Sequence, residues 1–165
     1  MSAAKATGWQ RFDKAAFGIV YGAITVLSIL LATAAHPEAP FETAAVLFGS
    51  VLAITLAKTF AEFLGHALEA GQRLTRSGWQ AAWRHSTPTL AAANLPTALF
   101  VAAGLGWMQP ESALLSSQAV CIALLATTGA RIGWVLDRSV MNALLGALFA
   151  GGIGLALAIL KHLIH

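Results

Sequence analysis

The sequence predicts an all-α integral membrane protein with five transmembrane helices, on three observations. Hydrophobic residues make up 58% of the 165 positions and charged residues only 10%, against about 25% charged in a soluble domain. Apolar runs long enough to cross roughly 30 Å of hydrocarbon recur down the chain. These runs are continuous, whereas the strands of a membrane β-barrel would alternate. With a mean hydropathy of +0.73, the chain reads as one membrane domain, 1–165, with no room for a sizeable soluble one.

The first span is expected over residues 15–35, behind the basic leader Lys5, Arg11 and Lys14. Ala32-Thr33-Ala34 resembles a signal-peptidase site, but the apolar run exceeds the usual signal-peptide core, which favours an uncleaved span. Pro37 and Pro40 punctuate the next connection, and a second span follows at 42–68. Residues 70–88 form the only sizeable connection, closed by Pro88 and expected to lie at the cytoplasmic interface. The third span covers 90–107, with Asn94 and Pro96 marking a kink. Pro110 precedes the fourth span, 113–136, and a few residues around Asp137-Arg138-Ser139 lead into the fifth, 140–160. No internal repeat is visible, and five spans forbid a simple two-fold duplication.

Charge gives an orientation. Basic residues fall before span one, between spans two and three (Arg73, Arg76, Arg84) and around the last turn (Arg131, Arg138). The opposite connections hold Glu38, Glu42 and Glu111 without Lys or Arg. The positive-inside rule then places the N-terminus in the cytoplasm and the C-terminus outside, in a bacterial cytoplasmic membrane. The net charge of +3 suits anionic headgroups and is no argument for nucleic acid.

Lys58, Glu62 and His66 stand four residues apart in an apolar run, so they share one helix face. At 1.5 Å per residue, Lys58 lies about 9 Å inside the inner boundary and Glu62 within about 3 Å of it. The same count puts Tyr21 about 9 Å deep and Arg131 about 5 Å from the inner edge. These residues form a polar layer in the cytoplasmic third of the bilayer, for which two readings stay open. Lys58 and Arg131 snorkel to headgroups while Glu62 pairs with one of them; or the layer is a vestibule with Glu62 as a cation or proton site. Gly18, Tyr21, Thr25, Ser28 and Ala32 share a face of span one and suggest an interior line or plain helix packing. Gly146-Ala150-Gly154-Ala158 makes a small-residue ridge on span five, suited to packing within the bundle or across a homodimer.

In the 70–88 connection Trp79 and Trp83 share a helical face beside Arg76 and Arg84, which reads as an interfacial lipid anchor or as a docking surface for a cytoplasmic protein. His36 and Glu38 on the first outer connection, and His162 and His165 at the C-terminal end, are the residue types that suit divalent metals, though no ligand motif is complete. The single cysteine, Cys121, excludes an intrachain disulfide. Phosphate loops, nucleophile elbows, paired-cysteine sites and zincin helices are absent, so the chain is not expected to be an enzyme.

Gly18-Ile-Val-Tyr-Gly22-Ala-Ile-Thr25 resembles the first-helix pattern of the vacuolar iron transporter family, Gly-x-x-Asp-Gly-x-x-Thr. Lys58-Thr-Phe-Ala-Glu62-Phe63 is similar to that family's second-helix Gly-Glu-Tyr element, and Gly146 to Gly154 to its glycine-rich last helix. The resemblance implies five spans, a dimer, and transport of ferrous iron or manganese against protons. Tyr21 stands where the family has an acid, and the second-helix methionines have no counterpart. A short basic stretch replaces the family's acidic cytoplasmic segment, so only Glu62 carries over from its metal-handling groups. Two functions are therefore expected: a small-cation or proton-coupled transporter using Glu62, with a divalent metal as substrate, or a non-transporting scaffold or accessory subunit engaging lipid or a partner through 70–88.

Overall fold

A computed structural model describes residues 8–33, 39–70 and 75–164, and every regular element among them is helical. The helices are α1 (Gly8–Thr33), α2 (Pro40–Ala70), α3 (Arg76–Gly104), α4 (Pro110–Asp137) and α5 (Val140–Ile164). Pro40 and Pro110 each open a helix, where the preset φ helps and the missing N–H removes no bond. Thr75 caps α3 by accepting from the Gly78 N–H at 3.2 Å. Gly106 turns the chain out of α3 at φ +78°, a left-handed conformation that glycine adopts freely. Arg138 ends α4 in the same region, its N–H on the Trp134 carbonyl at 2.8 Å.

Four of the helices, α1, α2, α4 and α5, are long and apolar enough to cross a membrane. The third differs from expectation. Residues 76–88, expected as a connection, are the first half of α3, and Pro88 lies inside that helix instead of closing a loop before it. Proline removes one intrahelical hydrogen bond and crowds the preceding turn. Here the helix continues through Pro88 and again through Pro96 because neighbouring helices pack around it: Ala82, Ser86, Thr89, Ala92, Ala93, Pro96, Phe100 and Ala103 are all buried. These prolines, with Thr87, Thr89, Thr97 and Asn94, also lower the apolar character of α3 below that of the other four.

The packing is built on close approach. α3 lies against α1, α2 and α4, while α4 and α5 form an antiparallel hairpin. Gly18 and Gly22 let α1 press on Pro88, Thr89 and Ala92 of α3; a Cβ on Gly18 would meet the Pro88 side chain at 2.8 Å. In the hairpin, Gly129 faces the Gly146 carbonyl and Gly133 the Asn142 carbonyl, and Gly154 lies under Leu125 and Ile122. The ridge on span five therefore packs on α4. Val26, Leu30, Leu47, Val51 and Leu125 fill the centre. The opposite face of α5, with Leu144, Leu148 and Leu155, is exposed and apolar, as a lipid-facing surface requires.

The stripe expected along span one divides. Gly18 and Gly22 are buried against α3, whereas Tyr21, Ser28 and Ala32 are exposed. Thr25 and Ser28 donate to the Tyr21 and Ile24 carbonyls one turn back, at 2.8 and 2.9 Å. Their polarity is satisfied within α1 and forms no interior line.

Gly129→Ala should lower stability by about 1–3 kcal/mol, because its methyl would collide with backbone that cannot rotate away. Gly49→Ala meets nothing within 4 Å and should gain up to about 1 kcal/mol from helix propensity. Thermal unfolding of the two variants in detergent compares them directly, and equal melting temperatures would contradict the tight α4–α5 contact.

Candidate functional site

The polar residues gather at one end of the bundle, where α1 and α3 begin and α2 and α4 finish. They form two separate clusters.

The first cluster joins α1, α2 and α3 around Lys58. Its ammonium is buried and makes no hydrogen bond among the described residues. Glu62, one turn on, brings a carboxylate oxygen to 3.7 Å, close enough for charge attraction but too far for a hydrogen bond. On its other side the ammonium sits 4.5 Å from the Phe17 ring centre and 5.8 Å from that of Tyr21. The two rings stack at 6.2 Å. A cation over an aromatic face gains about 0.5–2 kcal/mol, more as water is excluded. Helix α1 thus solvates a charge on α2.

Glu62 is occupied on its other side by α3. His85 Nδ1 lies 3.1 Å from both carboxylate oxygens, and the Ser86 hydroxyl donates to one of them at a long 3.5 Å. The His85 contact becomes an ion pair when the ring is protonated. His66, a turn beyond Glu62, is exposed and outside this cluster.

The second cluster joins α1 to α4. Arg131 Nε and Nη2 donate to the two oxygens of Asp13 at 3.0 and 3.1 Å, a bidentate fork. Of the two cations expected as partner for Glu62, Lys58 lies beside it and Arg131 turns to Asp13. Sequence reasoning missed Asp13, Phe17, His85 and Ser86. Asp13 lies before the expected start of span one although α1 begins earlier, and His85 and Ser86 fall in the expected 70–88 interfacial connection, where a position facing Glu62 is not legible.

Trp79 and Trp83 lie on the first half of α3. Trp79 meets Phe63 of α2 edge-on at 5.6 Å, which ties the two helix ends together. Trp79, Gln80, Trp83 and Arg84 line a notch of about 380 Å³. Arg76 and Arg84 are exposed and have no carboxylate partner among the described residues. Among the described residues no three of His, Cys, Asp or Glu are grouped to hold a metal ion. His36, Glu38, His165 and the side chain of His162 lie outside the described residues.

Comparison with protein-family models, with curated proteins and with solved structures finds no match to this chain.

Double-mutant cycles read the two clusters apart. Asp13→Asn and Arg131→Gln should each lower the melting temperature, and together by less than their sum, because they break one fork. Glu62→Gln combined with Arg131→Gln should be additive, since each charge has a different partner. Coupling in the second pair, or additivity in the first, would contradict the assignment.

Proposed function

We propose that this chain is a non-transporting integral membrane protein, a scaffold or accessory subunit whose polar layer fastens its helices together. The observation that carries this reading is the commitment of Glu62 to Lys58, His85 and Ser86 at once. An entering cation would have to displace these groups while facing a buried like charge, which costs more than binding at an open carboxylate returns. Contact with lipid or a soluble partner falls to Trp79, Trp83, Arg76 and Arg84 on the first half of α3.

In this reading all five helices cross the membrane. The second half of α3 supports that role: past the exposed Asn94 its exposed positions Leu95, Ala98 and Val101 are apolar, while Thr89 and Pro96 are turned inward. The Lys/Arg bias puts the N-terminus in the cytoplasm and the C-terminus outside. Cysteines introduced at the exposed Ser77 and Ser112, on a Cys121→Ser background, should label from opposite sides of sealed vesicles. Labelling of both from one side would remove α3 as a span.

A second reading, a proton-coupled cation transporter with the architecture that the sequence resemblance implies, is favoured by one feature. His85 is 57% exposed and touches Glu62, so solvent reaches the carboxylate's partner from one side. Proteoliposomes loaded with metal and pH indicators separate the two. The scaffold reading expects ferrous iron, manganese and proton fluxes equal to those of protein-free vesicles. Saturable uptake lost in Glu62→Gln would overturn it in favour of transport.

A further inference from the structure

Helices α1, α4 and α5 enclose an apolar cleft of about 520 Å³, away from both polar clusters. Val20 and Ile24 line it from α1, Ile132 and Leu136 from α4, Phe149 and Ile153 from α5. From Asn142 to Ile153 along α5 it runs about 16 Å, and from Asp137 back to Leu125 along α4 about 18 Å. Both lengths are close to half of the roughly 30 Å hydrocarbon thickness, which is one leaflet. The cleft therefore extends from the α4–α5 turn to about mid-bilayer.

Its polar side chains, Asp137 and Asn142, stand at the turn end. Asn142 Nδ2 donates to one oxygen of Asp137 at 2.6 Å. Asp137 is exposed and has no cationic partner among the described residues. The next residue, Arg138, is exposed, and it too has no carboxylate partner there. Arg138 is also the only non-glycine residue with positive φ among the described residues, at φ 49° and ψ 29°. Glycine holds this conformation without strain, so an arginine at this turn keeps a guanidinium where the backbone alone would favour none.

We infer that the cleft seats one acyl chain of a zwitterionic phospholipid with a primary ammonium headgroup. The ammonium meets the open oxygen of Asp137 and the phosphate meets Arg138. Neighbouring acid and base at the level where two helices leave the hydrocarbon complement a headgroup carrying both charges. A glycerol headgroup offers Asp137 no cation, and a choline headgroup offers it no N–H. The inference stands apart from the polar layer and holds whether or not the chain transports anything.

The test uses the full chain purified in detergent and mixed with equal amounts of phosphatidylethanolamine, phosphatidylglycerol and phosphatidylcholine of identical acyl chains. Native mass spectrometry should show the ethanolamine lipid retained about tenfold over the other two, the discrimination expected of one charge-assisted hydrogen bond. It alone should raise the melting temperature. Asp137→Asn should abolish the preference. Arg138→Gly should lower retention of all three lipids, since each carries the phosphate, and leave the ethanolamine preference in place. Arg138→Gly should melt no lower than the parent in lipid-free detergent, because glycine relaxes the left-handed turn; the lost retention in that variant is therefore not a folding defect. Equal retention of the three headgroups by the parent, an ethanolamine preference that survives Asp137→Asn, or unchanged retention in Arg138→Gly would overturn the inference.

Discussion

A lysine ammonium inside a bundle of apolar helices has to be neutralised where it stands, and much of this structure is arranged around that need. The Lys58 ammonium is buried and makes no hydrogen bond among the described residues. Its stabilisation comes from three helices: Glu62 on its own, the rings of Phe17 and Tyr21 on α1, and, through Glu62, His85 and Ser86 on α3. An uncompensated charge in this position would be far more costly than any single packing contact. Moving any of the three helices away leaves that charge exposed to low dielectric. The more exposed Asp13–Arg131 fork ties α1 to α4 without a buried charge to neutralise.

These charges can be shared between helices only because the helices come close. Glycines at 18 and 22 bring α1 onto the proline-containing turn of α3, and glycines at 129, 133 and 146 close the α4–α5 hairpin. The buried hydroxyls of Thr55, Thr59 and Thr128 are satisfied within their own helices by carbonyls one turn back, at 2.7 to 2.8 Å. They place no demand on neighbouring helices and so do not constrain the packing. Small residues therefore set the distances, and the two ionic clusters set which helix ends meet.

Much of this was legible in the sequence, for physical reasons that also mark where reading stopped. Long apolar runs and helix-opening prolines at 40 and 110 locate α2 and α4 to within a few residues. Four-residue spacing puts Lys58 and Glu62 on one face of one helix and makes Lys58 a candidate partner, with Arg131 left open as the other. Depth counting puts Arg131 in the same layer but carries no information about the direction in which it points, and that direction selects Asp13. The largest loss came at Pro88. Reading Pro88 as the end of a connection separates the first half of α3 from the third span, as an interfacial segment, and hides His85 and Ser86 from Glu62. Tertiary packing carried the helix through the proline, and no local signal at 70–88 announces that.

If the layer around Lys58 fastens the helices as proposed, its ammonium is shut off from water-soluble reagents. Amine labelling with a water-soluble acylating reagent tests it on the unmodified protein. Lys14 is exposed and supplies the internal reference. The account predicts that peptide mass spectrometry finds Lys14 fully acylated while Lys58 stays free, and that Lys58 becomes reactive in Glu62→Gln as the cluster loosens. Acylation of Lys58 at the rate of Lys14 in the parent protein would show that water reaches the ammonium freely, and would contradict it.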